Sequence, residues 1–134
     1  LVVTALGMFL ATQALAAGAQ AFSPLYSQRP LAVQIAAYVT PDTPFYSLDD
    51  YPQSLPFYLG RTLIIAHYKG ELEFGIGQEP ARWIPDRDAF ASQWRADKAA
   101  LAVMPLDTYA EMQKEGLPMT EIGRDPQRVV VRKP

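Results

Sequence analysis

The sequence predicts a layered α/β domain with a small, mostly parallel sheet and an antiparallel C-terminal hairpin, preceded by one hydrophobic helix. Three observations carry this. The first stretch, Leu1 to Phe22, has no charged residue. From Ser27 onward, short apolar runs alternate with segments of helical periodicity, the pattern of strands buried beneath crossover helices. Near the end, Met119–Arg124 and Arg128–Arg132 flank Asp125-Pro126, a turn dipeptide, as in a hairpin.

The opening segment has the length of a transmembrane helix, which needs about 20 predominantly apolar residues. Its polar side chains are Thr4, Thr12, Gln13 and Gln20, and Gly7, Gly18 and many alanines suit close helix packing. A signal peptide is the rival reading, with Ala19-Gln20-Ala21 as a small-residue cleavage site, although no basic segment precedes the apolar run. A buried core helix is a third. Because the chain starts at Leu1, it is expected to be cut from something longer. The expected division is residues 1–22 as a last membrane helix and residues 23–134 as the soluble domain.

Each later element has a local cause. Ser27 is the expected N-cap of a helix with Pro30 in its first turn, and Leu31, Ile35 and Tyr38 form its stripe up to Thr40. Pro41-Asp42-Thr43-Pro44 is a turn, and Phe45–Leu48 a short buried strand. Ser54 is placed to cap a helical turn that holds Pro56 at its start and stops at Gly60. Thr62–Ala66 reads as a strand buried on both faces. Lys69-Gly70-Glu71 is a turn, and Gly75, Gly77, Pro80 and Pro85 mark an irregular loop around Trp83. Asp86 opens a helix with Phe90 and Trp94 on one face, to about Ala99. Leu101–Met104 is a further buried strand. Pro105 starts a last helix, with Leu106, Tyr109 and Met112 inward and Gly116 stopping it.

Composition excludes several function classes. The 134 residues contain no cysteine, so there is no disulfide framework, cysteine nucleophile or thiolate metal site. The formal net charge is -2 with no polybasic run, which argues against a nucleic-acid partner. Gly-x-Gly-x-x-Gly, phosphate-loop and His-Glu-x-x-His patterns are absent. The single histidine, His67, has no partner ligands in sequence and reads as structural. Asp49 and Asp50 lie at a strand end, where open α/β sheets place ligands. Adjacent strand residues point to opposite faces, so a turn or capping role is favoured over a shared catalytic site.

The run Tyr51-Pro52-Gln53-Ser54-Leu55-Pro56-Phe57-Tyr58-Leu59-Gly60-Arg61 is denser in aromatic and hydrogen-bonding groups than a connection requires. Tyrosine suits sugar faces and arginine suits phosphate oxygens. Tyr51, Gln53, Tyr58 and Arg61 are therefore the candidate substrate-cleft residues. The alternative, favoured for each residue taken alone, is that Phe57 and Tyr58 are core and that Arg61 pairs with an acid such as Asp50.

This same run, Tyr51-x-x-Ser54-Leu55-Pro56-Phe57-Tyr58-Leu59-x-Arg61, followed by Glu71-Leu72-x-Phe74-Gly75, resembles the tail of the aminoarabinose transferases. The resemblance continues through Phe90-x-x-x-Trp94, Ala102-Val103-Met104, Gly116-x-Pro118 and Val129-Val130-Val131-Arg132. It implies a bacterial inner-membrane glycosyltransferase that moves 4-amino-4-deoxy-L-arabinose from a polyprenyl-phosphate carrier to lipid A, a lipopolysaccharide modification. The implied partners are an upstream transmembrane bundle of the same chain, membrane lipid, the polyprenyl-phosphate sugar donor and a lipid acceptor. The implied placement of the soluble domain is periplasmic. The family's catalytic carboxylate lies in an early periplasmic loop, so no catalytic or metal-binding residue is carried over, and no cofactor is assigned to this fragment. Two rivals remain: a secreted periplasmic binding module with a cleaved signal peptide, and a stand-alone soluble enzyme.

Overall fold

The computed structural model describes residues 1–134, apart from the side chains of residues 22–26. Helix α1 (Val2–Tyr26) is apolar, and its Val2–Ala21 portion is long and apolar enough to cross a membrane. Among the described residues, none of that portion is buried by the rest of the chain. The boundary expected between Phe22 and Ser23 falls inside α1, at side chains outside the described residues.

The domain that follows contains α2 (Arg29–Ile35), β1 (Phe45–Leu48), α3 (Leu55–Leu59), β2 (Ile64–Ala66), α4 (Glu73–Gln78), β3 (Trp83–Ile84), α5 (Arg87–Ala96), β4 (Leu101–Pro105), α6 (Leu106–Lys114), β5 (Thr120–Arg124) and β6 (Arg128–Arg132). Six strands form one sheet in the order β3-β2-β1-β4-β6-β5. Strands β1, β2, β3 and β4 run parallel, while β6 pairs antiparallel with both β4 and β5. The expected parallel sheet with an antiparallel hairpin at one edge is thus the fold.

Alternation along the strands splits the core into two layers. Tyr46, Leu48, Ala102, Met104, Val129 and Val131 face Phe90, Trp94, Tyr109 and Met112 of α5 and α6. Phe45, Leu101, Val103 and Val130 face Leu31, Ile35 and Leu55 of α2 and α3. The Trp94 indole N–H donates to the Pro118 carbonyl at 2.9 Å, so the largest buried side chain leaves no polar atom unmet. Helix α2 lies close over β5, where a Cβ on Gly123 would come within 2.7 Å of Ile35. Gln34 clamps the two, donating to the Arg124 carbonyl at 3.2 Å and accepting from its amide at 3.1 Å.

Several local expectations hold and others do not. Asp86 caps α5, its carboxylate accepting from the Ala89 amide at 2.7 Å. Gly60 and Gly116 end α3 and α6 with φ of 63° and 74°, values that favour glycine. Ser54 precedes α3 but makes no cap. Pro56 lacks one of the amides a cap would serve, and the hydroxyl donates instead to Gln28 Oε1 at 2.9 Å. Gln28, not Ser27, occupies the N-cap position of α2, which ends at Ile35 and tightens into a 3₁₀ turn, Ala36–Tyr38.

The loop expected around Trp83 contains both α4 and the edge strand β3. Gly75 and Gly77 lie within α4, where a Cβ would meet nothing within 4 Å, so they are not there for a turn or a close contact. Next to this short strand, β2 is less enclosed than expected, with Ile64 and Ile65 half-buried.

Candidate functional site

Strand β1 is the switch point of the sheet, since the order leaves it towards β2 and β3 on one side and β4 on the other. In open α/β sheets, ligands bind outside the carboxyl ends of the strands at such a point. Asp49 follows β1 and His67 follows β2 at that end. Their amides extend the ladder, Asp49 to the Ala66 carbonyl at 3.0 Å and His67 to the Ile84 carbonyl at 2.9 Å. The backbone then turns through left-handed conformations, with φ of 61° at Asp49 and 51° at His67. Such conformations cost a non-glycine residue about 1–3 kcal/mol and persist where surrounding contacts hold them.

The holding contacts converge on the Asp49 carboxylate. Oδ1 meets His67 Nδ1 at 2.6 Å, while Oδ2 lies 2.5 Å from Arg87 Nη2 and accepts from the Thr108 hydroxyl at 2.8 Å. Arg87 also reaches Glu111 at 2.5 Å, so β1, β2, α5 and α6 are tied at one place. Burial would push the Asp49 carboxyl up. The hydrogen bonds from Arg87, His67 and Thr108 outweigh it and hold the group below the usual carboxylate range. The hydrogen bond to Asp49 is also the main reason that Arg87 is held even more firmly protonated than usual. Among the described residues, the Arg87 Nε is buried without a hydrogen-bond partner. Half of the His67 side chain is exposed, against 12% of Asp49.

Asp50 turns towards the other layer, as adjacent residues do. Its carboxylate accepts from Arg128 Nε at 2.6 Å, and its carbonyl accepts from the Ser47 hydroxyl at 2.5 Å. The two aspartates therefore belong to different assemblies and do not form a catalytic pair. Together with Tyr51, Gln53, Tyr68, Glu71 and Arg128, Asp50 lines an open groove rich in polar atoms. The Gln53 amide donates to Glu71 across it, and the Ser54–Gln28 bond closes one side.

Of the four candidate cleft residues, the structure brings Tyr51 and Gln53 to this groove. Tyr58 is part-exposed on α3 and stacks edge-on with Phe57. Arg61 lies at the opposite, amino end of the strands. Its guanidinium donates to the carbonyls of Thr40 at 2.6 Å and Thr43 at 2.9 Å and sits 6.0 Å from the centre of the Phe45 ring. The expected pair with Asp50 is not formed, because Asp50 is beyond the carboxyl end of β1 and is taken by Arg128. Phe57 and Tyr58, expected as core, are 82% and 43% exposed, because the short α3 buries only Leu55.

Arg87, Thr108 and Arg128 were not legible as site residues. Thr108 is 59 positions from Asp49, and Arg128 is 78 from Asp50, so no local pattern announces either contact. Among the described residues, no group of three or more His, Asp or Glu side chains is placed to hold a metal ion.

A family model described as the aminoarabinose transferase C-terminal domain matches residues 31–133. The chain belongs to this family. Two crystal structures of ArnT from Cupriavidus metallidurans are also similar to this chain. In the one bound to undecaprenyl phosphate, the similarity has 39% identity and a TM-score of 0.73, over 78% of this chain and 19% of that one. In the apo state, the values are 38% and 0.75, over 81% of this chain and 20% of that one. The chain therefore spans about a fifth of the solved chains it matches. No curated protein matches it. The secreted-module reading gains no support from these similarities.

Proposed function

We propose that the chain is the C-terminal part of a membrane glycosyltransferase that moves aminoarabinose from a polyprenyl-phosphate carrier to lipid A or a similar acceptor. In this reading α1 is the last membrane span and residues 23–134 form an accessory domain on the periplasmic face of the bacterial inner membrane. The observation that carries it is the family match over residues 31–133, directly after a helix that is apolar and uncovered. That helix requires an apolar partner outside this chain, and a bilayer supplies one. A chain of the same family has been crystallised with undecaprenyl phosphate, which supports a polyprenyl-phosphate donor.

The chemistry is glycosyl transfer with the lipid phosphate as leaving group, performed by residues outside this chain. The domain's part is positioning. Its groove at the carboxyl end of β1 offers two tyrosine faces, three carboxamides, two carboxylates and the Arg128 guanidinium, which fit a hydroxyl- and amine-bearing sugar. Tyr51 and Gln53 are its ligand-facing residues in this proposal. Arg61 serves the fold, and Tyr58 belongs to a different surface.

The test has two arms. Purified 134-residue chain incubated with polyprenyl-phosphate aminoarabinose and lipid A should leave both unchanged, whereas turnover above background refutes the accessory role. In the full-length enzyme, Tyr51→Ala and Gln53→Ala should raise KM for the polyprenyl-phosphate sugar donor with kcat retained. Unchanged KM in both variants removes the groove from the substrate path.

A further inference from the structure

We infer that Phe57 and Tyr58 form an interfacial anchor that seats the domain on the bilayer at the foot of α1. The inference rests on the reading of α1 as a membrane span. Chain geometry supplies the placement. Helix α1 ends at Tyr26 and α2 begins at Arg29. At no more than about 3.6 Å per residue, the domain starts within about 11 Å of the end of α1. Gln28, in that short link, accepts from the Ser54 hydroxyl at 2.9 Å, and Ser54 directly precedes α3. The α3 turn is thereby pinned next to the point where the chain leaves α1.

The exposed side of α3 is unusual for a water-facing surface. Leu55 is fully buried and fixes the turn against α2, while Phe57 is 82% and Tyr58 43% exposed. Their rings pack edge-on at 5.6 Å, so they project as one unit. Val33 on neighbouring α2 is exposed as well, and Arg29 stands exposed at the start of α2. Aromatic rings, one with a hydroxyl, beside an apolar helix and a guanidinium are the chemistry of the headgroup boundary. The rings enter the acyl edge there, and the hydroxyl and cation meet glycerol and phosphate oxygens. A single exposed apolar residue needs no explanation; an aromatic pair tied to the base of a bilayer-length helix is a different case.

The chain has no cysteine, so single Phe57→Cys, Leu10→Cys and Glu115→Cys variants can each carry one nitroxide. Glu115 is exposed at the end of α6, on the other face of the sheet. The full 134-residue chain is reconstituted in phosphatidylethanolamine–phosphatidylglycerol bilayers, and each label's relaxation by oxygen and by a water-soluble nickel chelate is measured. Expected is an oxygen-to-nickel ratio at position 57 several-fold above that at 115, with a depth within about 5–10 Å of the headgroup boundary. The Leu10 label reports the span separately. If the Leu10 label is lipid-facing and the label at 57 behaves like that at 115, the anchor is overturned and the span stands. A Leu10 label that favours nickel overturns both. A label at 57 shielded from both reagents means that protein, such as a second copy, covers the pair, and this also overturns the anchor.

Discussion

On the α5/α6 side of the sheet, Phe90, Trp94, Tyr109 and Met112 all point inward, and the outward positions carry Asp88, Ser92, Gln93, Arg95 and Glu111. On the α2–α4 side, Leu31, Ile35 and Leu55 point inward, but Val33, Phe57, Tyr58 and Phe74 point outward. The same sheet thus supports one layer finished for water and one that displays apolar and aromatic groups. The difference follows element length. Helices α5 and α6 have 10 and 9 residues, enough for a stripe to separate from a polar face. Helices α3 and α4 have 5 and 6. A single turn holds at most one buried anchor, Leu55 in α3 and none in α4, and leaves the remaining side chains to whatever lies outside.

The largest expected contrast is at Trp94. Trp94→Ala removes the largest fully buried side chain and orphans the Pro118 carbonyl. It should lower stability by about 3–5 kcal/mol, the usual result of truncating a buried aromatic. Thermal and urea unfolding of the 134-residue chain in detergent, followed by circular dichroism, would measure this. A loss below 1 kcal/mol would mean that the α5/α6 layer is not the better-packed one.

Next comes the assembly at the carboxyl end of the sheet. Arg87→Ala withdraws the cation from a carboxylate that is only 12% exposed. Because the arginine itself is about a third exposed, the loss should be about 2–3 kcal/mol, below the 3–5 kcal/mol of a fully buried pair. The sign of the pH dependence follows from Asp49. Its carboxyl in the fold is held below its unfolded value, so it contributes stability that is present above about pH 4 and lost as pH falls through the folded value. Asp49→Asn should flatten the acid limb of stability below about pH 4; an unchanged acid limb would show that the charge on Asp49 is not what holds the two left-handed turns.

Arg61 gives a smaller effect. Arg61→Ala loses two hydrogen bonds to the Thr40 and Thr43 carbonyls at a part-exposed site where water can replace them. A loss of about 1–2 kcal/mol is expected, near the lower end for hydrogen bonds with one charged partner. Arg61→Lys should recover part of it. A fall of 3–5 kcal/mol would instead indicate a buried ion pair, the partner the sequence suggested.

What could be read from the sequence divides by distance along the chain and not by layer. The α5 cap at Asp86, the inward Phe90 and Trp94, the stop at Gly116 and the turn at Asp125-Pro126 each rest on neighbours a few positions apart, and each is in place. Helix α4 was hidden because Gly75 and Gly77 signal a loop, and β3 because a strand of 2 residues has no period. At the candidate site, the divergence of Asp49 and Asp50 followed from strand alternation. Their partners Arg87, Thr108 and Arg128 did not, since register between distant elements selects them. The sequence points Arg61 to an acid because a charge beside apolar elements needs a partner. The carbonyls of Thr40 and Thr43, just before β1, satisfy it instead.

The smallest effect is the most informative about the exposed layer. Phe57→Ser removes an aromatic ring that is 82% exposed and contacts chiefly Tyr58. An edge-on aromatic pair contributes about 0.5–1.5 kcal/mol when desolvated and less in water. Unfolding of the 134-residue chain in detergent should therefore change by no more than about 0.5 kcal/mol, the range of ordinary surface substitutions. Leu55→Ala, two positions earlier on the same short turn, should cost about 2–5 kcal/mol because its side chain is fully buried. A large loss at position 57 would mean that the ring supports the fold. It would then have no need of a partner outside the domain, and the contrast between the layers would reduce to helix length alone.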